Sequence, residues 1–191
     1  MILYCATTNR GKLREFALAA AGGGVEIRPL ENLDQLPEAV EDGETFEANA
    51  IKKALHYSRY APGPLFADDS GLEVDALGGA PGVLSARFAG AGASDDANNR
   101  LLLEKLAGVS GRSARFVCVI ALADAGALIG TFHGAVEGRI LDAPRGAGGF
   151  GYDPLFYYPP YDCTFGEVDG ERKFAVSHRG EALRAMLRSL A

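Results

Sequence analysis

The segment that decides the fold is ILYCATTNRGKLREFALAAA, at residues 2–21. It opens with an apolar run over 2–6 that is typical of a buried strand, and polar Thr7, Thr8 and Asn9 end the run. From Lys12 onward apolar residues recur at helical spacing, at Leu13, Phe16, Ala17 and Ala20. We therefore predict a strand, a short loop and a helix that ends at Gly22, which is how an α/β fold begins.

Strand and helix signals continue to alternate beyond this unit. We predict a strand near 25–28, a helix capped by Thr45, a short strand over 65–67, a helix capped by Ser94, two strands over 116–123 and 128–136 joined by a turn at 124–126, and a last helix beginning near Ser177. The stretch 144–160 is too rich in glycine and proline to be regular throughout. Helices alternate with strands early and strands cluster later, so we expect an α/β fold with a mixed β-sheet flanked by helices.

Composition narrows the class of protein. The chain has 191 residues, and 19 basic against 25 acidic side chains give a net charge of −6. This length fits one domain at about 150 residues per domain, and 48% hydrophobic residues are ample for a core. An acidic chain without a basic run argues against a nucleic-acid partner. We find no membrane-spanning segment, and three widely spaced cysteines favour a reducing, cytoplasmic location over a disulfide framework.

The loop Thr7-Thr8-Asn9-Arg10-Gly11-Lys12 is the first candidate site. The N-terminus of a helix presents unpaired N–H groups and the positive end of a dipole, so it attracts anions. Two hydroxyls, an amide and a lysine at that position suit a polyphosphate. The spacing differs from a Walker A motif, and an ordinary capped turn with a solvated Lys12 explains the same residues.

Adjacent carboxylates form the second candidate, in Asp68-Asp69-Ser70-Gly71. Neighbouring side chains of a strand point to opposite faces, so one carboxylate at most faces a given cleft. Such a carboxylate can bind Mg²⁺ or take a proton from water. The alternative is an Asx-turn leading into the next strand. One acid of the cluster Glu38, Glu41, Asp42, Glu44 and Glu47 could complete a metal site with Asp69, and the others suit a helix N-terminus.

Two further segments carry aromatic and basic groups. Glycines surround Phe150 and Tyr152 in the stretch 146–154, where flat rings could stack on a base or fill the core. Lys173 and the pair His178-Arg179 lie near the start of the last helix. A guanidinium can donate to a purine carbonyl and ring nitrogen, although such a pair is also common on protein surfaces.

Seven motifs in order resemble the inosine triphosphate pyrophosphatase family, whose members remove noncanonical purine nucleotides. The motifs are T-x-N-x-x-K from Thr7, T-F-x-x-N-A at 45–50, A-D-D-S-G-L at 67–72, L-G-G-A-P-G at 77–82, S-A-R-F at 85–88, G-F-G-Y-D-P at 149–154 and S-H-R-G at 177–180. Each motif is modest by itself, but the set covers nearly the whole chain.

The resemblance implies one domain over 1–191 with two lobes and a central nucleotide-binding cleft, and a homodimer. It implies Mg²⁺-dependent hydrolysis of ITP, dITP, XTP or dXTP to the monophosphate and pyrophosphate. Asp69 would accept the proton and bind Mg²⁺, and Glu41 would be a second metal ligand. The implied substrate contacts are Thr7, Thr8, Asn9, Arg10, Gly11, Lys12 and Lys53 for the triphosphate, Ser70, and Phe150, Gly151, Tyr152, Asp153, Lys173, His178 and Arg179 for the base and sugar.

One departure from the family pattern concerns the metal site. Many members carry Glu where this chain has Ala48, and Glu47 one place earlier points about 100° away on a helix. We therefore expect a looser metal site, or one that relies more on Glu41. A Maf-type pyrophosphatase acting on pyrimidine or modified triphosphates is the alternative function, and a nucleotide-binding regulator without catalysis is a third.

Overall fold

The computed structural model describes residues 1–20 and 24–190, so the predicted helix end at Gly22 lies outside the described residues. The strands are β1 (Ile2–Cys5), β2 (Glu26–Pro29), β3 (Leu65–Val74), β4 (Ser113–Asp124), β5 (Ala127–Ile140), β6 (Phe156–Tyr158) and β7 (Cys163–Thr164). The helices are α1 (Arg10–Ala20), α2 (Phe46–Tyr57), α3 (Asp95–Lys105), α4 (Gly170–Val176) and α5 (His178–Ser189). Among the described residues, no helix combines the length and the hydrophobicity that crossing a membrane requires.

The strands form one mixed sheet in the order β2-β1-β3-β4-β5-β6-β7. β1 pairs in parallel with β2 and with β3, so that Cys5 lies opposite Pro29 and Phe66. β6 pairs antiparallel with β5 and β7. Parallel neighbours joined through helices, followed by antiparallel strands, confirm the predicted α/β class with a mixed sheet.

The described chain divides into two compact units. Unit 1 contains residues 1–69, 118–134 and 178 onward, and its core includes Phe16 and Phe66, whose rings meet edge to face with centroids 5.0 Å apart. Unit 2 contains residues 70–117 and 135–177. Its core includes Leu72, Leu102, Leu106, Phe116, Phe156 and Phe165. The predicted central cleft stays a prediction.

Local sequence signals correctly predicted the starts of two helices and the position of one hairpin turn. Thr45 caps α2 by accepting a hydrogen bond from the Ala48 N–H at 3.1 Å, and Ser94 caps α3 through the Ala97 N–H at 3.2 Å. Ala125 and Gly126 link β4 to β5, and both have positive φ, 48° and 84°. Two-residue hairpin turns favour that conformation because it matches the twist of the strands.

The sequence predicted the bounds of β3 wrongly and did not predict α4. The strand predicted over 65–67 continues through the acidic pair to Val74, so the Asx-turn alternative for 68–71 is wrong. Charged partners from distant elements allow two acids within a strand, and local propensity contains no sign of them. α4 was not predicted, because its seven residues have no long apolar period.

The predicted apolar face of α1 also needs correction. Phe16 is buried, but Ala17 is exposed and Glu15 is 6% exposed in its place. Glu15 forms an ion pair with Arg179 of α5, so a charged residue belongs to the buried face of α1. Periodicity of apolar residues cannot reveal such a pair.

Gly71 in β3 brings the strand close to the segment that contains Ser85. A Cβ at Gly71 would lie 2.3 Å from Ser85 Oγ and 2.6 Å from the Gly82 carbonyl oxygen. The Ser85 hydroxyl donates to that carbonyl at 2.6 Å and accepts the Leu72 N–H at 2.9 Å. The two sequence motifs that contain Gly71 and Ser85 therefore pack directly against each other. This close packing requires a residue without a side chain at position 71.

We predict that Gly71→Ala destabilises the protein by about 1–3 kcal/mol, because overpacking forces the strand and the Ser85 turn apart. Thermal and urea unfolding would measure the loss. Gly111→Ala is the matched control, since a Cβ there meets no atom within 4 Å and its φ needs no glycine. Equal unfolding midpoints for the two variants would contradict the close-packing argument.

Candidate active site

Asp68 and Asp69 occupy neighbouring positions of β3 and therefore lie on opposite faces of the strand. Asp68 is 2% exposed, whereas Asp69 is accessible at its side chain to 13%. Ser70 follows and is partly exposed. The environments of the two carboxylates differ accordingly, and so do their chemical roles.

Asp68 is a buried carboxylate surrounded by cations. Its Oδ2 atom lies 2.9 Å from Lys12 Nζ and 3.6 Å from Arg179 Nε. Burial by itself would raise the pKa of Asp68, but the positive charges of Lys12, Arg179 and Lys53 hold that pKa well below its ordinary value. Asp68 is thus a permanent anion that organises basic side chains.

Asp69 has a weaker set of partners. Asn49 Nδ2 donates to its Oδ2 at 3.1 Å, and Lys53 Nζ lies 3.7 Å from its Oδ1. Burial raises the pKa of Asp69, and Lys53, Lys12 and Asn49 only partly oppose this effect. A carboxylate with a raised pKa and an accessible edge is suited to accept a proton.

Asn49 also fixes the segment that leads from Glu41 to α2. Its Oδ1 atom accepts the Gly43 N–H at 2.8 Å, while its Nδ2 group lies 3.4 Å from the Gly43 carbonyl oxygen. Asn49 is 1% exposed, so one buried amide positions both Asp69 and this segment.

Lys53 joins the two predicted metal ligands. Its Nζ atom lies 2.9 Å from Glu41 Oε2, in addition to the contact with Asp69. Burial would lower the pKa of Lys53, but Asp69, Asp68 and Glu41 together raise it. The Lys53 ammonium therefore contacts both carboxylates that the family resemblance assigns to Mg²⁺.

The donor set agrees with a magnesium ion that is bound together with its substrate. Within residues 1–20 and 24–190, no three His, Cys, Asp or Glu side chains gather into a metal cluster. Mg²⁺ commonly uses one or two carboxylates and completes its shell with water and phosphate oxygens. Glu41 and Asp69 fit that description.

Glu47 does not replace the acid that the resemblance places at Ala48. Its Oε1 atom accepts from Thr131 Oγ1 at 2.8 Å and lies 3.4 Å from His133 Nε2. The side chain therefore contacts β5, whereas Asn49 contacts Asp69. The expectation that the metal site relies more on Glu41 stays a prediction.

The loop from Thr7 to Lys12 forms a capped helix start. Asn9 Oδ1 accepts the N–H groups of Gly11 at 2.8 Å and Lys12 at 3.1 Å, and Thr7 Oγ1 accepts the Asn9 N–H at 3.2 Å. Thr8, Asn9 and Arg10 are exposed. These hydrogen bonds fix the conformation of the loop. The Lys12 ammonium forms an ion pair with Asp68.

Arg179 lies at the buried start of α5. It is 2% exposed, and its guanidinium contacts both Glu15 and Asp68. Burial would lower the pKa of Arg179, but Glu15 and Asp68 raise it above its ordinary range. His178 is 3% exposed beside it. The surface-pair alternative for His178-Arg179 is therefore wrong.

Gly134 allows α5 to lie this close to β5. A Cβ there would come within 2.1 Å of the His178 carbonyl oxygen and 2.6 Å of the Ala182 nitrogen. Glycine thus sets the position from which Arg179 reaches its two carboxylate partners.

The other predicted base contacts lie in unit 2. Asp153 Oδ2 accepts from Lys173 Nζ at 2.5 Å and from the Phe150 N–H at 2.9 Å. Lys173 Nζ also lies 4.8 Å from the centre of the Phe150 ring. Phe150 and Gly151 are partly exposed, whereas the Tyr152 ring is buried in the unit 2 core.

Sequence reasoning missed three residues of these networks. Glu15 gave no signal, because a glutamate in an amphipathic helix is normally solvated. Asn49 lies inside a quoted motif, which was a usable signal, but the motif does not show that its amide contacts Asp69. Ser85 lies in another motif, but its contact with Gly71 is visible only in three dimensions.

The sequence is similar to those of known proteins over nearly its whole length. The model of the Ham1 family matches residues 3–189. A dITP/XTP pyrophosphatase of Desulfotalea psychrophila is 51% identical over 95% of this chain and 82% of its own length. One of Syntrophobacter fumaroxidans is 54% identical over 98% of this chain and 81% of its own length.

Solved structures give the same result. A Ham1 protein from Staphylococcus aureus has a TM-score of 0.87 and 38% identity, covering 100% of this chain and 98% of its own. A HAM1 protein from Coxiella burnetii has a TM-score of 0.87 and 40% identity, with 100% of both chains covered. Together with the family match over almost the whole sequence, these relationships show that the chain belongs to the Ham1 family.

Proposed function

We propose that the protein is a nucleoside triphosphate pyrophosphohydrolase that acts on the noncanonical purine nucleotides dITP, XTP, ITP and dXTP. It cleaves the anhydride bond between the α- and β-phosphates, so water and the triphosphate give the nucleoside monophosphate and pyrophosphate. In the cell this reaction removes altered purines from the nucleotide pool.

The observation that carries the proposal is the environment of Asp69. Its accessible carboxylate has a raised pKa, accepts a hydrogen bond from buried Asn49 and faces the ammonium of Lys53. This arrangement lies in a chain about half identical to proteins named dITP/XTP pyrophosphatases. Asp69 takes a proton from the attacking water, and Asn49 holds the carboxylate in place for that step.

The basic groups of unit 1 bind the triphosphate. Lys12 and Lys53 supply two positive charges close to Asp69, and the residues from Thr7 to Gly11 supply hydroxyl, amide and backbone donors at the start of α1. Asp68 holds Lys12 in position by charge attraction. Ser70 follows Asp69 in β3 and is the further substrate contact that the resemblance implies.

Mg²⁺ is the metal that this donor set suits, and Glu41 and Asp69 would hold it. When bound, the ion neutralises charge on the phosphates and on the leaving pyrophosphate. Lys53 Nζ contacts the same two carboxylates, 2.9 Å from Glu41 Oε2 and 3.7 Å from Asp69 Oδ1.

The residues that the resemblance assigns to the base occur in each of the two units. Phe150 offers an aromatic face over the fixed Asp153–Lys173 pair, with Gly151 and the buried ring of Tyr152 shaping the loop. His178 and Arg179 supply donors. The keto oxygen at C6 of hypoxanthine or xanthine accepts from such donors, whereas the amine of adenine leaves them unpaired, which is costly.

The Maf-type alternative is not favoured. It shares the phosphate chemistry and differs at the base, and relatives that cover most of this chain carry the name dITP/XTP pyrophosphatase. We further propose a cytoplasmic homodimer without a nucleic-acid partner, which the net charge of −6 and the resemblance support.

Pyrophosphate release from a panel of nucleotides tests the proposed activity. With Mg²⁺ we expect dITP and XTP to be hydrolysed at least about a hundredfold more efficiently than ATP, because the amine at C6 of adenine leaves the base-recognising donors unpaired. A chelator is expected to stop the reaction. Preferred hydrolysis of a pyrimidine triphosphate would overturn the base assignment.

Asp69→Asn is expected to lower kcat by about 10²- to 10⁴-fold, because the variant loses the proton acceptor but keeps its shape. Calorimetry should still detect nucleotide binding. Asp34→Asn removes an exposed carboxylate of unit 1 and serves as the control. Turnover of the Asp69 variant close to that of the control would contradict the assignment.

Arg179→Lys is expected to narrow the preference for ITP over ATP by about tenfold or more, because lysine has no planar set of donors. The substitution keeps a positive charge between Glu15 and Asp68, so the fold is better preserved than with alanine. Arg188→Lys, on the exposed end of α5, is the control. An unaltered ratio in a folded variant would assign the selectivity to other donors.

A further inference from the structure

The loop of residues 149–153 is held by α3 at one residue, Gly151. The Gly151 N–H donates to Asp95 Oδ2 at 2.7 Å, and the Gly151 carbonyl oxygen accepts from Asn99 Nδ2 at 2.9 Å. Both polar groups of this residue's backbone are therefore bound by side chains from a helix more than fifty positions earlier in the chain.

The spacing of Asp95 and Asn99 explains how both side chains can bind the backbone of Gly151. Asp95 and Asn99 are four residues apart, so they lie on the same face of α3, one turn from each other. The Asp95 carboxylate can only accept hydrogen bonds, so it suits the Gly151 N–H. The Asn99 amide nitrogen donates hydrogen bonds, so it suits the Gly151 carbonyl oxygen.

The helix that carries them is itself anchored. Asn98 is 3% exposed, and its side chain accepts the Ala89 N–H at 2.8 Å and donates to the Ala86 carbonyl at 3.2 Å. α3 is thereby tied to the S-A-R-F segment. The same segment accepts the Tyr152 hydroxyl at the Ser85 carbonyl, at 2.8 Å.

Gly151 has a backbone conformation that glycine adopts more readily than other residues. Its φ is +61°, in the left-handed region, and Gly149 two residues earlier has φ +71°. Glycine loses more conformational freedom than any other residue when it is fixed. Phe150 lies between these two glycines, so the direction of its ring depends on how firmly they are held.

We propose that Asp95 and Asn99 are positioning residues for base recognition, which fix the Phe150 ring through Gly151. The inference rests on the proposed function, because it assigns that ring to the purine base. Asp153 accepts the Phe150 N–H and Lys173 Nζ lies 4.8 Å from the centre of the ring, while the α3 pair holds the next residue, Gly151. A preorganised ring binds the base without first being ordered.

Kinetics of four variants test the proposal. Asp95→Ala and Asn99→Ala are expected to raise KM for dITP about tenfold and to change kcat less than about twofold, because the phosphate-binding groups stay in place. Asp95→Asn keeps an oxygen that can accept the Gly151 N–H and should stay within about threefold of wild type. Asn99→Asp sets a carboxylate against the Gly151 carbonyl and should be worse than Asn99→Ala.

Asp96→Ala is the matched control. Asp96 carries the same charge in the same turn of α3, and within the described part of the chain its side chain makes no hydrogen bond or ion pair. Both aspartates favour the helix N-terminus, so the control measures the loss of that effect alone. Thermal unfolding of all variants separates a general loss of stability from the predicted change in KM.

Binding of inosine monophosphate, measured by calorimetry, repeats the comparison without turnover. Weaker binding by Asp95→Ala and Asn99→Ala, but not by Asp96→Ala, supports the inference. Equal affinities for these three variants and wild type overturn it. If the wild-type protein binds the monophosphate but releases no pyrophosphate from dITP or XTP, the proposed function fails while the test of the α3 pair still gives its answer.

Discussion

The buried charge of Asp68 is the constraint on which unit 1 depends. A carboxylate removed from water is tolerated only with counter-charges and hydrogen-bond donors close by. Lys12 arrives from α1 and Arg179 from α5, and both reach this single group on β3. Arg179 in turn brings Glu15 into the interior. A stable anion thus joins three elements and gathers the cations that a triphosphate requires.

The alternation of side chains along β3 gives its neighbour the opposite character. Asp69 points away from that cluster and lies among an amide, one ammonium and partial solvent. One carboxylate therefore stays charged under all ordinary conditions, while the other is held closer to protonation. Two identical neighbours in the sequence therefore differ in pKa, because the alternation of the strand turns them to different surroundings.

The sequence was most informative where the physical cause is local. Thr45 and Ser94 predicted their helices because a cap acts within four residues, and the turn at 124–126 predicted its hairpin for the same reason. The extension of β3 through two acids was not predictable, because the charges that permit it lie far away in the chain. The motifs identified Asp69 and Lys12 as candidates, and the family resemblance added Lys53. Neither spacing nor periodicity could show that Asn49 holds Asp69 or that Glu15 faces Arg179.

The pairing of Glu15 with Arg179 spans 164 residues and has a consequence for synthesis on the ribosome. β1, α1 and β3 are made early, yet the guanidinium that balances their interior acids arrives only with α5. Until that helix emerges, a nascent chain cannot bury Glu15 and Asp68 at an acceptable cost, so the N-terminal part cannot reach its final packing. Contacts between such distant residues also slow folding in general. A chain that lacks α5 is therefore missing a counter-charge for both interior acids.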